Sequence, residues 1–536
     1  MSSVWLFSIA VVCFYLGYRF YLRFLIKKIF PLDVTKITPA LEINDGVDYV
    51  PAKNWIMLFG HHFASIAGAA PIIGPVIAFS AWGWGVSLVW IVLGSIFIGG
   101  VHDFSSLYVS MRSRGCSISE VGKFAVSKKT KYLFSIFILL ALILIIAVFL
   151  YFCANTFVHK PEIVLPSLGL IPVAILVGCM LYILNFNVFF ATGFGLLSMV
   201  LLIYFGDIFP IGFIGEKAQN YWIIILMFYC FFASIMPVNI LLQPRDYLSS
   251  FILFAGIVCA VLGIFITRPK IIAPVFLTFK GEIGLIWPML FVTIACGAIS
   301  GFHSLVASGT TSKQISSEAY APRIGYGSML LEGVLAVIAL ISVSVLAMDV
   351  FKERLASSGP VGCFEKGYGF ITLPLLGGYG ESFAVLILNA FILTTLDTAT
   401  RISRYIMSEI FHFKGRIFPA VFPVILASLL ALSGKWRDIW VIFGASNQLI
   451  AALSLIVVSG WLLKKKRQIR FTFIPAIFML LTTISAIIYK LNHFLKAGNI
   501  ILSIVSIVLI LLGVSIIWEA RFIFGNKKSL IGEKFG

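Results

Sequence analysis

The sequence predicts an all-α polytopic membrane protein with about fifteen transmembrane helices. Three observations carry that class. Hydrophobic residues make up 60% of the 536-residue chain and charged residues only 12%, against about 25% charged in soluble domains. Mean hydropathy over the whole chain is +1.05. The apolar residues fall in long runs joined by short loops, and no hydrophilic stretch is long enough for an independent catalytic domain.

At about 17–25 residues per span, the runs lie near 4–26, 55–80, 84–104, 132–153, 167–185, 188–206, 221–242, 250–267, 284–303, 325–348, 382–400, 417–433, 439–462, 472–490 and 498–518. In the first, Arg19, Arg23, Lys27 and Lys28 follow the greater part of the apolar run instead of preceding it, unlike a cleaved signal, so it reads as a retained helix. Basic residues set the orientation. With the N-terminus outside, cytoplasmic loops hold Lys36 and Lys53, then Arg112, Arg114 and Lys123, then Arg245, then Lys313 and Arg323, then Arg401, Arg404, Lys414 and Arg416, then Lys464 to Arg467. The C-terminal tail, with Lys527 and Lys528, is also cytoplasmic. Outside loops are poorer, though Lys160, Lys217 and Arg437 fall there. The net charge of +18 is thus a topology signal, not a nucleic-acid footprint. The 8 cysteines form no CxxC and read as small buried hydrophobes.

Helices two to six and seven to eleven form two sets of five. Five is odd, so the second set is inverted relative to the first. The organisation expected is an N-terminal helix and loop (1–54), a first repeat (55–206), a second inverted repeat (207–414) and C-terminal accessory helices with a basic tail (415–536). The first set opens on a Gly- and Pro-broken helix, and its proposed counterpart carries Ser234 to Asn239.

Two polar interruptions stand out within or beside apolar runs. One spans Gly60 to Pro71 and contains His61, His62, Ser65 and Gly68; the other spans Ser300 to Gln314 and contains His303, Ser304, Thr310 and Thr311. Loosened backbone at membrane depth is tolerated only where protein or a water-filled cavity surrounds it, which is where a transporter builds its substrate site. His61 and His62 point about 100° apart on a helix, so they share a ligand only if the helix unwinds. They read either as a carboxylate or proton site or as an interfacial pair. Gly68, Pro71, Gly74 and Pro75 either break the helix or let helices pack closely. Lys313 reads as a positive-inside anchor.

Ionisable residues within the spans are the next candidates. A carboxylate at membrane depth costs about 2.5–3.5 kcal/mol on insertion scales. Asp397 therefore needs a job or a partner, and Arg401 lies four residues on, on the same helical face. Glu332 reads as a proton carrier or a structural hydrogen-bonding group. His102–Asp103 and Asp246, near helix ends, read as gating groups or plain loop charges. Asn447 and Gln448 read as interhelical hydrogen-bonding residues. No Walker A motif, strand-following GxGxxG or HExxH occurs, and the histidines lack ligand spacing, so no enzyme activity, cofactor or metal is expected.

At these motifs the sequence resembles the carbon starvation protein A family of bacterial inner-membrane transporters. The matching stretches are GHHFASIAGAAPIIGP (60–75), GGVHDFSSLYVSMRSRGCSISEV (99–121), SGFHSLVASGTTSKQI (300–315), LDTATR (396–401) and FGASNQL (443–449). The resemblance implies a five-plus-five inverted-repeat core like that of amino acid–polyamine–cation transporters, nutrient uptake in carbon starvation, and peptides or proton-coupled pyruvate as substrates. The expected protein is a secondary active transporter in the bacterial inner membrane, with the lipid bilayer, a small carboxylate-bearing nutrient and a coupling ion (H⁺, with Na⁺ open) as partners. The substrate carboxylate is expected near freed amides around Gly60–Gly68, with Gly60, His61, His62, Ser65, Gly68, His303, Ser304, Thr310 and Thr311 around it. Glu332, Asp397, His102, Asp103 and Asp246 are the coupling or gating residues. The rivals are an ion channel and a starvation sensor without transport.

Overall fold

The computed structural model describes residues 2–413 and 415–525. Lys414, Lys527 and Lys528 lie outside the described residues, as does the side chain of Arg437. Among the described residues, thirteen helices are long and apolar enough to cross a membrane. They account for every expected run except 284–303, which is broken in two, and 417–433, whose helix Ile417–Leu432 has only 16 residues. A single two-residue hairpin, Lys280–Gly281 against Gly284–Leu285, is the only sheet described. The chain is a multi-pass membrane protein.

Eleven helices position the candidate residues: α1 (Trp55–Ala67), α2 (Ala70–Trp82), α3 (Gly100–Met111), α4 (Lys128–His159), α5 (Ala218–Ile235), α6 (Leu242–Thr267), α7 (Ile286–Thr293), α8 (Gly301–Gly309), α9 (Ser328–Ser344), α10 (Gly380–Phe411) and α11 (Trp436–Lys464). Helix α4 is apolar all round and buried along most of its length, as suits a helix enclosed by others. It packs on α10, α5 and α11. By contrast, the helix Val188–Ile208 turns Phe189, Phe190, Leu197, Val200 and Tyr204 outward. An apolar outer face of this kind is suited to lipid.

Two spans are interrupted. Between α1 and α2, Gly68 adopts φ 48° and ψ −161°, a region essentially restricted to glycine. Pro71 then sits in the first turn of α2, where no backbone N–H is missed. The expected loosening of Gly60–Gly68 is corrected: helix geometry persists through Ala67, because residues 60–67 are all compatible with a helix and only Gly68 leaves it. Hydroxyls from α10 cover carbonyls beside this break. Thr394 donates to the Ala64 carbonyl (2.7 Å) and Thr395 to that of Ser65 (3.2 Å).

The second interruption is the stretch 294–300 between α7 and α8. Its backbone groups are also satisfied by neighbours. The Trp90 indole donates to the Ile294 carbonyl (3.1 Å), and Ser95 donates to that of Gly297 (3.0 Å). The amide of Phe302, in the first turn of α8, donates to Asn447 Oδ1 on α11 (2.8 Å). Each bond replaces a helix bond that hydrocarbon would leave unmade. Ser234 lies in α5, and Pro237 to Asn239 lie in the turn before α6.

Helix α8 starts directly on α11: a Cβ on Gly301 would stand 2.1 Å from the Asn447 carbonyl oxygen. Gly301→Ala is therefore expected to destabilise the fold by about 1–3 kcal/mol through overpacking. Thermal melting of the purified protein in detergent reads this directly, and an unchanged midpoint would contradict the close approach.

Candidate functional site

His61 and His62 lie on α1 and, being successive helical residues, reach different partners. His61 Nδ1 is 2.6 Å from Asp246 Oδ2, on the fifth residue of α6. Ser65 donates to the same oxygen (3.3 Å) and lies 3.0 Å from the Thr398 hydroxyl on α10. His62 Nδ1 is 2.7 Å from the Thr311 hydroxyl, just beyond α8. All of these side chains are buried.

The protonation of His61 follows from a chain of amides. The Val50 carbonyl can only accept, so Gln243 must present its Nε2 there (3.1 Å). Gln243 Oε1 then accepts from the Tyr182 hydroxyl (2.5 Å), and Nε2 also donates to Gln314 Oε1 (2.8 Å). Gln314 Nε2 consequently faces His61 Nε2 (3.1 Å), which must accept. The ring hydrogen is left on Nδ1 and is donated to Asp246. A backbone carbonyl in the loop before α1 thereby sets the tautomer of a histidine within a transmembrane helix.

Two other clusters are equally buried. His303 Nδ1 lies 2.8 Å from Asp103 Oδ2, His102 Nδ1 lies 2.7 Å from Asp103 Oδ1, and His303 Nε2 lies 3.1 Å from Glu332 Oε2. Asp397 pairs with Arg245 and accepts from the hydroxyl of the half-buried Tyr229 (2.5 Å). His62 Nε2, Asp246 Oδ1 and Asp397 Oδ1 are buried without a hydrogen-bond partner among the described residues. Buried polar atoms of this kind call for water or a ligand.

The structure thus brings His61, Ser65 and Asp246 together, His62 with Thr311, and His102, Asp103, His303 and Glu332 together. Gly60 serves close packing, since a Cβ there would lie 2.6 Å from the Ser250 hydroxyl. Thr310, directly after α8, donates back to the Val306 carbonyl in it (2.9 Å), and Ser304 contacts Ser454 on α11 (2.8 Å). The expected Asp397–Arg401 pair is not formed. Asp397 turns to α6, where Arg245 is a buried helical partner and not a loop charge, while Arg401 and Arg404 reach Asp48 (3.2 and 3.1 Å). Arg401 also donates to the carbonyls of Ala233 and Met236. His102, Asp103 and Asp246 are fully buried, which removes the loop-charge reading. Lys313 is no free anchor, since it is buried between the rings of Tyr49 and Tyr405 (5.3 and 4.0 Å to centroid). Asn447 does join helices, through Ser300 and the Phe302 amide.

Sequence reasoning missed Gln243, Gln314, Val50 and Asp48. Their partners lie far away in the chain, so no local spacing marks them. The one available signal was a pair of glutamines beside apolar runs. The loop around Asp48 closes over the N-terminal end of α1 and α6: Val238 N donates to the Val47 carbonyl (3.0 Å) and Ala52 N to that of Gln314 (2.9 Å). Burial pushes the Asp48 carboxyl up, but the guanidiniums of Arg404 and Arg401, the Tyr405 hydroxyl and the Lys313 ammonium outweigh it. The net effect holds Asp48 below the ordinary carboxylate range. A depressed native pKa means that its stabilisation is present above the unfolded value of about 3.9 and is lost as pH falls through the lower folded value. The melting midpoint of the wild-type protein is expected to fall on acidification below about pH 4 more steeply than that of Asp48→Asn. Parallel midpoint-versus-pH curves would remove Asp48 as the group responsible.

The profile described as carbon starvation protein CstA matches residues 2–366 and 355–486. Peptide transporter CstA of Campylobacter jejuni is 32% identical, over 94% of this chain and 82% of its own. Peptide transporter CstA of Bacillus subtilis is 31% identical, over 97% of this chain and 96% of its own. Pyruvate/proton symporter BtsT of Escherichia coli is 29% identical, over 92% and 82%. A crystal structure of the manganese transporter of Eremococcus coleocola, bound to a bis-isothiourea compound, superposes with a TM-score of 0.52 at 13% identity, over 90% of this chain and 99% of that one. At that identity the likeness concerns the fold alone.

Proposed function

The chain belongs to the carbon starvation protein CstA family of transporters, and on that premise we propose that it imports a small carboxylate-bearing nutrient, a peptide or pyruvate, by proton symport during carbon starvation. In this reading it lies in a bacterial inner membrane with its N-terminus outside and its C-terminus in the cytoplasm. The first repeat, 55–206, holds the break at Gly68, and the inverted second, 207–414, holds the break at 294–300.

One observation carries the reading: a buried histidine–carboxylate pair, His61–Asp246, set beside a broken transmembrane helix and wired to the loop that covers it. On α1 itself, His62 Nε2 is buried without a hydrogen-bond partner among the described residues, which leaves it open to a substrate carboxylate or a water. The coupling proton sits on His61–Asp246. Adding a proton to His61 Nε2 would set its N–H against the Gln314 amide nitrogen, two donors face to face. Gln314 would have to turn over, Gln243 with it, and the Val50 carbonyl would lose its donor. Proton loading is thereby tied to release of the covering loop. Asp397 is the less suited carrier, because Arg245 already neutralises it.

The test is uptake of radiolabelled pyruvate and of a labelled dipeptide into proteoliposomes, with and without an inward proton gradient. The wild-type protein is expected to accumulate one of them only with the gradient. Asp246→Asn is expected to abolish accumulation while retaining exchange of labelled for unlabelled substrate. Flux without accumulation points to a channel, and no flux of either substrate to a sensor; either outcome, or gradient-driven accumulation by Asp246→Asn, overturns the proposal.

A further inference from the structure

The transport reading leaves one buried cluster without a task. Cys296 lies in the unwound stretch between α7 and α8, His303 in the first turn of α8, and Glu332 in α9. One ligand-type atom from each lies within 4.8 Å of the others, and all three residues are buried. Among the described residues no other group of three such side chains comes together in this way.

The hydrogen-bonding pattern shows what the cluster lacks. Asp103 Oδ2 lies 2.8 Å from His303 Nδ1. A carboxylate accepts, so that nitrogen carries a hydrogen. His303 Nε2 then turns toward Glu332 Oε2 at 3.1 Å. Yet Nε2 and both Glu332 oxygens are buried without a hydrogen-bond partner. A nitrogen lone pair facing a carboxylate is repulsive, so a proton or a metal ion belongs between them. No Lys or Arg pairs with Asp103 or Glu332 among the described residues; their ion-pair partners are histidines only. Sulfur, nitrogen and a carboxylate oxygen therefore lie close enough together to share one positive charge.

We propose that Cys296, His303 and Glu332 bind one borderline transition-metal ion of the Zn²⁺ class. The donor set decides the class. Thiolate and imidazole suit zinc and its neighbours, whereas Mg²⁺, Ca²⁺ and alkali ions take oxygen. Glu332 supplies one or both oxygens, His303 its Nε2 and Cys296 its sulfur, with the thiol proton released as the ion enters. The thiolate and Glu332 charges together balance a divalent ion. Asp103, holding His303 Nδ1–H, is the second carboxylate that fixes the tautomer and aims the ring, the usual companion of a metal-bound histidine. Asn447 Nδ2, 3.7 Å from Cys296 Sγ, offers the sulfur a donor. Bonds of about 2.0–2.3 Å require the three side chains to draw closer than the 4.8 Å limit on their separations. Cys296 stands outside any helix, so its approach breaks no helical hydrogen bond. The ion would pin the unwound stretch to α9. Histidine spacing along the sequence did not show the site because its ligands come from three separate elements.

The test reads binding in detergent, without substrate, and so stands apart from the transport proposal. Full-length protein from zinc-supplemented cells is passed over a chelating resin and its metal content measured by mass spectrometry. A second sample is loaded with Co²⁺ for visible absorption. The wild-type protein is expected to retain one zinc per chain and to give a tetrahedral cobalt spectrum with a thiolate-to-metal band. Cys296→Ser is expected to lose that band, and His303→Ala the ion itself. If the variants fail to fold, the wild-type cobalt spectrum still decides. A wild-type protein that keeps no zinc and shows no thiolate band has a proton, not a metal, in the cluster. Zinc retained equally by wild type and both variants is bound at the surface. Either result overturns the proposal.

Discussion

A charge taken out of water in the middle of a membrane protein must find an opposite charge or a set of donors, and that requirement shapes this molecule more than any other. Asp246 has His61, Asp397 has Arg245 and Tyr229, and Asp103 has His102 and His303. Apart from His102 and Asp103, which are neighbours on α3, each pair joins different segments, so charge compensation and helix packing are one arrangement. Removing one partner would leave the other buried and uncompensated. The same low dielectric makes these groups useful, because a proton entering or leaving such a pair changes the energy of its surroundings more than it would at the surface.

The backbone obeys the same requirement. Breaking α1–α2 at Gly68 and α7–α8 at 294–300 frees carbonyls and amides that lipid cannot satisfy. Thr394, Thr395, Trp90, Ser95 and Asn447 meet them from neighbouring helices. Gaps in regular structure thus persist because side chains from other spans complete them. Those gaps lie where the buried histidines and carboxylates gather.

The amino-acid sequence made the class of fold plain, because a membrane span is a local property of composition and length. It also marked the two interruptions, since His61, His62, Gly68 and His303 are unusual inside or beside apolar runs. It did not show how far the first would unwind, because residues 60–67 suit a helix whether or not the segment binds anything. Partner choice was the least legible part. Asp397 and Arg401 have ideal spacing for each other along one helix, yet tertiary packing gives Asp397 to Arg245 and Arg401 to Asp48. The relay from Val50 through Gln243 and Gln314 to His61 joins three distant stretches of the chain, and no periodicity within one of them could reveal it.

The claim at the centre of this account is that substrate and proton meet through His61 and Asp246. The most direct measurement is proton uptake by the purified, weakly buffered protein when pyruvate or a dipeptide is added, followed with a pH indicator. The account expects the wild-type protein to take up protons as substrate binds and Asp246→Asn to bind substrate without doing so. Substrate binding by the wild-type protein with no proton uptake, or with uptake equal to that of Asp246→Asn, would contradict it.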